Sequence, residues 1–355
     1  MKNNPTLSVA MCTYNGAQYL RQQLDSIAAQ TRLPDEIVVC DDGSSDETVE
    51  ILNEFRRSAP FPVCIIVNTE NIGITKNFER AIELCEGDII ALSDQDDVWP
   101  ADKLRRLEQT LTAEDAGMVF SNALVVDANL TPTGRTLWDF TFDKRKRRRV
   151  KRRGALEVLV GENFVTGAAM AFWSRYRSVC LPIPTDTFYL HDGWLALTIA
   201  AVAPVSALDE PLLLYRSHNT QAVGVRPFSA KLTKRPDRFE RHGNSLQEMA
   251  SFLRSQTESY ATVRARLLES KEAASLAKGI DAVESRIEEL EHYASHFQRR
   301  SQMSSNRIRR APEVIKELLG LRYHRYSNGF SSFAKDLLIQ DKTILPRYTQ
   351  TEIFK

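Results

Sequence analysis

The chain has 355 residues, 43% of them hydrophobic, and a formal net charge of +1. This length and composition allow a sizeable core and predict two domains, or one large domain with an appendage. The balanced charge gives no global reason to expect binding to nucleic acid or to a membrane. Five cysteines lie mostly in apolar runs without C-x-x-C spacing, which indicates reduced thiols in a cytosolic protein.

The apolar stretches are too short for membrane insertion. The first residues lack a long apolar run, so no signal peptide is expected. The longest mostly apolar run, 194–205, is too short and too rich in alanine to span a bilayer. We therefore expect a soluble or peripheral protein.

A strand-then-helix rhythm fills the first 127 residues. Short apolar runs predict buried strands, and apolar residues at three- and four-residue spacing predict the helices between them. The predicted strands are 7–11, 37–40, 63–67 and 88–92, and the predicted helices are 17–30, 48–55 and 77–86. This alternation is typical of a parallel sheet with helices on both faces.

Further strands are predicted at 119–126, 164–173 and 212–215, and the motif HDGW at 191–194 opens an apolar helix. Nine of the eleven residues at 143–153 are basic. A solvated loop is the default prediction for such a run. It can also hold anionic lipid or nucleic acid, but no recognised nucleic-acid module accompanies it.

The character of the chain changes near residue 228. Apolar residues at helical spacing predict two amphipathic helices that join near Lys278 and Gly279. We expect a helical hairpin or coiled coil over 228–310, with 245–300 suited to homo-oligomer formation, and a helical tail over 311–355. The preceding domain then covers 1–227.

Polar and acidic residues follow each of the first four predicted strands. The segments are CTYNG (12–16), DDGSSDE (41–47), NTENIG (68–73) and SDQDD (93–97). Because ligands bind at the carboxyl ends of parallel strands, these segments predict one site. Asp94 and Asp96 suit a Mg²⁺ or Mn²⁺ ion that carries a diphosphate. Alternatively, the aspartates of this cluster cap the following helix.

Three other residues also allow two interpretations. Asp42 can accept the N–H of a pyrimidine ring or help to form a turn that caps the next helix. Tyr14 offers an aromatic face for a base, or it packs as an ordinary turn tyrosine. Asp192 is either the N-cap of a helix over 194–203 or a general base.

Six motifs together resemble those of the inverting family 2 glycosyltransferases. The motifs are CTYNG, DDGSSDET, NIGITKNF, SDQDDVW, HDGW and YRSHNTQAVG, and they occupy residues 5–225 in the family's order. The SDQDDVW form is similar to a bacterial subgroup that includes rhamnosyltransferases of cell-surface polysaccharide synthesis. The resemblance implies an α/β fold of the GT-A type, with a Rossmann-like, mostly parallel sheet flanked by helices and a C-terminal all-helical extension.

The resemblance implies five nucleotide contacts, one of which, Asp94, is also a member of the metal-binding pair. Tyr14 would stack on the base, and Thr13 would make a neighbouring contact. Asp42 would recognise the pyrimidine. Lys76 lies where a basic residue approaches the diphosphate.

The resemblance also implies the metal ligands and the base. Asp96 matches the metal-binding aspartate of the D-x-D motif, and Asp94 is its other member, so the expected cofactor is Mn²⁺ or Mg²⁺. His218 lies where some members place a further metal or phosphate ligand. Asp192 matches the catalytic base.

The implied reaction moves a sugar, with rhamnose favoured, from a dTDP or UDP donor to a saccharide or lipid-linked saccharide in bacterial surface polysaccharide synthesis. The protein is then cytoplasmic, or peripheral on the inner face of the cytoplasmic membrane through 144–153 or the C-terminal helices, and binds no nucleic acid. One alternative is a nucleotidyltransferase, although CTYNG lacks its usual glycine- and basic-rich loop. The other is a non-catalytic scaffold, against which the intact Asp96 and Asp192 argue.

Overall fold

The computed structural model describes residues 4–160, 162–185, 189–218, 221, 246–269, 276–303, 307–326, 333 and 336–337. These residues divide into two compact units. The described residues of Met1–Thr185, Tyr189–Ala230 and Arg266–Gly279 form the first unit, and those of Lys231–Ala265 and Ile280–Lys355 form the second.

An eight-stranded sheet forms the centre of the first unit. Its strands are β1 (Leu7–Thr13), β2 (Glu36–Asp41), β3 (Val63–Val67), β4 (Ile89–Ser93), β5 (Met118–Val126), β6 (Pro132–Thr136), β7 (Met170–Trp173) and β8 (Val205–Arg216). The spatial order is β3-β2-β1-β4-β7-β5-β6, and β8 pairs with β5. β1 to β4 pair in parallel, as do β5 and β8, whereas β6 and β7 run antiparallel to their neighbours. The predicted mostly parallel sheet is confirmed.

Helices flank this sheet. They are α1 (Ala17–Ala28), α2 (Thr48–Ser58), α3 (Ile74–Leu84), α4 (Lys103–Ala113), α5 (Lys144–Arg153), α6 (Leu156–Leu159), α7 (Arg177–Cys180) and α8 (His191–Val202). α1 buries Leu20, Leu24 and Ile27, which lie on one helical face. β1 and β4 are buried at every position, which explains their continuous apolar runs.

Several predicted boundaries are corrected. The strand predicted at 164–173 shrinks to β7, because a 3₁₀ turn occupies Gly167–Ala169. α3 begins at Ile74 rather than at 77, after Gly73 with a φ of 86°. β6 was missed because its sequence PTGRT is exposed and carries no apolar pattern.

The basic run is a helix, so its prediction as a loop is wrong. The side chain of Asp143 caps α5 by accepting the backbone N–H of Lys146 at 2.8 Å. Glu162 forms ion pairs with Lys146 and Arg149, each at 3.0 Å. A cap and a nearby carboxylate thus offset part of the repulsion among the basic residues.

The second unit is helical. The helices that lie mostly or wholly in it are α9 (Leu246–Glu269), α10 (Leu276–Gln302), α11 (Arg307–Leu319) and α12 (Arg322–Tyr326). The helix junction predicted near Lys278 and Gly279 is wrong, because both residues lie inside α10. The boundary at 227–228 lies outside the described residues and stays a prediction, as does oligomer formation through 245–300. No described helix has both the length and the apolar composition needed to cross a membrane.

Polar contacts join the helices of this second unit. His296 Nδ1 lies 2.8 Å from Glu317 Oε2, and both side chains are almost fully buried. Burial lowers the pKa of His296 to about 4. Its neutral imidazole therefore donates a hydrogen bond to the carboxylate. Nearby, the hydroxyl of Tyr323 donates to Asp336 at 2.7 Å.

We expect acid to destabilise the second unit through His296. The pKa of the imidazole is about 6.5 in an unfolded chain and about 4 in the folded one. The unfolded chain therefore binds more protons between these pH values. The free energy of unfolding should fall as the pH is lowered through this range, by at most about 1.4 kcal/mol per pH unit from this group. Urea unfolding at several pH values, followed by circular dichroism, measures this loss.

His296→Gln is the matched control for this prediction. Glutamine keeps an N–H donor for Glu317 but does not titrate. The wild-type protein should lose more stability on acidification than the variant does. Parallel pH profiles for the two proteins would contradict the prediction.

Candidate active site

A cavity of about 1080 Å³ opens at the carboxyl ends of β1, β2 and β4. Its volume is slightly above the usual range for small-molecule sites, about 300–1,000 Å³. Side chains from all four acidic or polar segments and from HDGW line it. The predicted site residues in its wall are Thr13, Tyr14, Asp42, Asp94, Asp96, Asp192 and His218.

Lys76 is the predicted site residue that does not line the cavity. Its ammonium pairs with Glu79 at 2.8 Å and donates to the carbonyl of Ile183 at 2.9 Å. Both contacts hold the side chain against the body of the first unit. We therefore do not retain Lys76 as a diphosphate contact.

Gln95 joins the SDQDD segment to the CTYNG segment. Its Oε1 accepts the N–H of Tyr14 at 2.8 Å, and its Nε2 donates to the Tyr14 carbonyl at 3.0 Å. A Cβ on Gly16 would lie 2.1 Å from Gln95 Oε1, so a larger residue there would displace the Gln95 side chain from this position. The backbone of Tyr14 is fixed in this way, while its side chain stays 48% exposed in the cavity wall.

Asp41 joins the first two loops. Its Oδ2 accepts the hydroxyl of Thr13 at 2.7 Å and that of Ser44 at 2.6 Å. Asn15 extends the connection, because its Oδ1 accepts the N–H of Ser45 at 2.9 Å. The ends of β1 and β2 are therefore held in register beside the cavity.

Asp42 is buried and organises the NIG turn before α3. Its Oδ1 accepts the side chain of Asn68 at 2.9 Å and the N–H of Ile72 at 2.8 Å. Its Oδ2 accepts the N–H of Gly73 at 3.0 Å. The capping alternative for this residue is wrong, because Asp46 rather than Asp42 binds the N–H of Thr48 at the start of α2.

Asp96 and His218 are in direct contact in the cavity wall. Nε2 of His218 lies 2.8 Å from Oδ2 of Asp96, and the ring of Tyr19 lies 4.8 Å from the imidazole. Burial, together with the charges of Asp96 and Asp192, raises the pKa of Asp94 to about 7. These carboxylates therefore crowd one another.

Two carboxylates and an imidazole fit a hard divalent cation. Mg²⁺ and Mn²⁺ take oxygen ligands from one or two carboxylates and complete their shell with water and substrate phosphate. The raised pKa of Asp94 shows that its charged form is unfavourable there, and such an ion would stabilise that form. Among the described residues, no three metal-binding side chains are already grouped as a complete site.

Arg216 ends β8 and is 1% exposed. Its guanidinium donates to the backbone carbonyls of Asp96 and Ala128 and to the side chain of Gln22, each at 2.6 Å. Its backbone N–H donates to Asp97 Oδ1 at 3.0 Å. One buried side chain therefore ties β8 to α1 and to the SDQDD segment.

The sequence contains one signal for this role, which is a charged residue at the end of the apolar stretch LLLY. Arg216 lies 4.4 Å over the ring of Tyr19, the ring that also contacts His218. His218 follows Arg216 by two positions. The contacts of Arg216 thus set where the imidazole meets Asp96.

Lys103 is a second buried basic residue that the motifs do not reveal. It is fully buried, its Nζ donates to the carbonyl of Ala168, and it lies 3.8 Å over the ring of Trp99. Burial lowers its pKa to about 7, whereas the carboxylates of Asp97 and Asp94 oppose the shift. The amine of Lys103 is therefore a buried basic group close enough to interact with the carboxylates of Asp97 and Asp94.

Asp192 lies in the first turn of α8, not at its N-cap. The N-cap position belongs to Leu190, so the capping interpretation is wrong. Oδ1 of Asp192 accepts the N–H of Gly193 at 2.6 Å, and the side chain is half-buried in the cavity wall. The preceding His191 stacks on Phe78 at 4.0 Å, and burial lowers its pKa, so it is uncharged.

Residues 8–172 match the family described as Glycosyl transferase family 2. This segment is a family 2 glycosyltransferase domain. Similar proteins include the dTDP-rhamnosyl transferase RfbG of Shigella flexneri, 29% identical over 240 residues that cover 62% of this chain and 76% of RfbG. A glycosyltransferase of Nostoc sp. is 27% identical over 60% of this chain, which spans 65% of that relative's length.

Solved structures confirm the GT-A-like fold of the transferase domain. S. aureus TarS 1-349 in complex with UDP-GlcNAc superposes with a TM-score of 0.51 at 15% identity, over 94% of this chain and 81% of that one. The same protein in complex with UDP gives a TM-score of 0.50 over 79% and 70%. At this identity the likeness concerns the fold alone.

We expect Arg216→Met to lower the free energy of unfolding by about 3 kcal/mol or more, because buried carbonyl and amide acceptors lose their donors. Arg147→Met is the control, since it removes a half-exposed arginine paired with Asp209 and should cost under about 1 kcal/mol. Urea unfolding of both variants measures the difference. Equal small losses would show that Arg216 does not hold these segments together.

Proposed function

We propose that the transferase domain moves a sugar from a nucleoside-diphosphate donor to a saccharide acceptor with inversion at the anomeric carbon. One observation carries this proposal. A single cavity is lined by an exposed aromatic side chain, Tyr14, by the contacting pair Asp96 and His218, and by the half-buried carboxylate of Asp192. These are the groups needed to bind a base, to neutralise a diphosphate and to accept a proton.

The nucleotide half of the proposal rests on Tyr14 and Asp42. The exposed ring of Tyr14 provides a face for stacking a base. Oδ2 of Asp42 accepts one N–H among the described residues, and a carboxylate oxygen has room for a second donor such as a pyrimidine N–H. The hydroxyl of Thr13 already donates to Asp41, so we assign Thr13 a supporting contact.

The donor we favour is dTDP-rhamnose, with UDP sugars as the alternative. The support is the likeness to RfbG, a dTDP-rhamnosyl transferase by name. The proposed acceptor is a saccharide, lipid-linked, in the synthesis of a bacterial surface polysaccharide such as O-antigen, capsule or LPS. The protein would then work at the inner face of the cytoplasmic membrane.

We assign Asp94, Asp96 and His218 as the residues that would hold Mn²⁺ or Mg²⁺. Such an ion supplies Lewis-acid stabilisation of the departing diphosphate. The residues of the chain contribute position and charge. Arg216 fixes the backbone of Asp96, and the Asp96 carboxylate orients the imidazole of His218.

Asp192 would act as the general base. Its Oδ1 is bound by the N–H of Gly193, which leaves Oδ2 to take the proton from the acceptor hydroxyl. The hydroxyl oxygen then bonds to the anomeric carbon as the bond from that carbon to the diphosphate oxygen breaks. Attack from the face opposite the diphosphate inverts the configuration. Apolar side chains in the cavity wall, Leu137, Phe164 and Leu190, would limit access of competing water.

The two alternative functions have less support. Among the described residues no lysine or arginine lines the cavity, whereas a nucleotidyltransferase needs basic groups for a triphosphate. A non-catalytic scaffold would not require Asp96, His218 and Asp192 in one wall. The metal-assisted transfer therefore remains the better account.

We expect Asp192→Asn to reduce turnover by about 10²–10⁴-fold, because asparagine cannot accept the proton. Affinity for the nucleotide should stay within about twofold of wild type, since the nucleotide contacts lie elsewhere in the wall. Product formation from dTDP-rhamnose or a UDP sugar, together with titration of the nucleotide, separates the two effects. Glu157→Gln, an exposed carboxylate outside the cavity wall, is the control. Full activity of Asp192→Asn would remove Asp192 as the base.

A further inference from the structure

Helix α5 has one face that is fastened to the transferase domain. Lys146 and Arg149 both pair with Glu162 at 3.0 Å. Arg147 pairs with Asp209 at 3.1 Å. Paired basic residues thus occur along the helix on its inner side, and they set how it lies on the domain.

The opposite face is basic and exposed. It consists of Lys144, Arg145, Arg148, Lys151 and Arg152, which we call the outer face of α5. At about 100° per residue these five positions fall within an arc of roughly 120°. Within the described part of the chain, none of the five forms an ion pair. Like charges at i, i+4 repel, so this face gains from a polyanion that covers it.

The segment before α5 leads from this face to the cavity. Phe140 is 40% exposed, and the guanidinium of Arg135 lies 4.6 Å over its ring. Leu137 and Thr141 line the cavity, and Phe142 stacks on the cavity residue Phe164 at 4.6 Å. The outer face therefore lies close in the chain to the cavity wall, beside an exposed aromatic residue.

We propose that the outer face of α5 binds the anionic headgroups of a membrane and so holds the cavity beside an acceptor attached to that membrane. This inference rests on the proposed transfer to a lipid-linked saccharide. Five cations in one arc suit a negatively charged plane, and each basic residue near such a surface adds about 1 kcal/mol of attraction, or roughly fivefold in binding. Exposed Phe140 adds the aromatic contact typical of the interface.

Nucleic acid fits these features less well. A helix that reads a duplex enters its major groove. The inner side of α5 is held by ion pairs with Glu162 and Asp209, and no recognised nucleic-acid module accompanies the helix. The outer face of α5 is a cationic surface, and the plane of anionic headgroups in a membrane is complementary to it.

The test is co-sedimentation of the full chain with vesicles. Vesicles of phosphatidylglycerol and phosphatidylcholine should bind the wild-type protein, and vesicles of phosphatidylcholine alone should not. Arg145→Gln/Arg148→Gln should weaken binding roughly 25-fold, which is two factors of five. Raising the salt to about 1 M should release the protein, because the screening length falls to about 3 Å.

Arg56→Gln/Arg57→Gln is the matched control. It removes the same charge from two exposed arginines of α2 and should bind vesicles within about twofold of wild type. If both double variants lose binding equally, net charge rather than the outer face is responsible and the proposal fails. It also fails if the wild-type protein ignores anionic vesicles, or if it binds a short duplex in preference to them.

A second measurement separates this proposal from the proposed function. Arg145→Gln/Arg148→Gln should bind dTDP or UDP as the wild-type protein does, because neither residue lines the cavity. Vesicle binding without nucleotide binding would support the membrane surface and contradict the transferase site. Nucleotide binding without vesicle binding would support the transferase site and contradict the membrane surface.

Discussion

The hydrogen bonds of one buried arginine hold the acidic edge of the site together. A guanidinium that is 1% exposed is costly to bury unless its donors are bound, and removal of a partner from such a group is strongly destabilising. Arg216 meets this demand through Asp96, Ala128 and Gln22, which belong to three separate segments. These hydrogen bonds hold the end of β8 beside the SDQDD segment that follows β4. The meeting of His218 with Asp96 follows from that position.

Around this contact lie carboxylates whose charged forms are destabilised by burial and by one another. Burial raises the pKa of Asp97 well above its usual range, and Asp94 is raised to about 7. Lys103 is the buried basic group near them, and burial lowers its own pKa. A divalent ion at Asp94, Asp96 and His218 would reduce this repulsion. The affinity proposed for the ion thus has its origin in the arrangement of the protein's own charges.

Much of the fold and of the cavity wall could be predicted from the sequence. β1, β2 and β4 are almost wholly buried and give continuous apolar runs, and the apolar run of the partly exposed β3 was also visible. The rule that ligands bind at the carboxyl ends of strands then grouped Asp42, Asp94 and Asp96. Contacts between distant segments could not be predicted. The reach of Arg216 to Gln22, and that of Gln95 to Tyr14, depend on tertiary packing that no local pattern encodes.

Other errors have local physical causes. Gly279 suggested a break, but a helix tolerates one glycine at a cost of about 1 kcal/mol, and α10 continues through it. The basic run suggested a loop because like charges in a row repel one another. The helix is stabilised by its cap at Asp143 and by the ion pair with Glu162, and a count of like charges includes neither. In both cases the surroundings of the segment overrode its intrinsic preference.

Calorimetric titration of dTDP and UDP tests the central claim most directly. It would compare the wild-type protein with Asp96→Asn, each with and without Mn²⁺. The account predicts that Mn²⁺ strengthens nucleotide binding to the wild-type protein by at least about tenfold, or about 1.4 kcal/mol, and that Asp96→Asn loses this gain while its metal-free affinity is unchanged. Equal affinity with and without Mn²⁺ in the wild-type protein, or no nucleotide binding by folded protein, would contradict it.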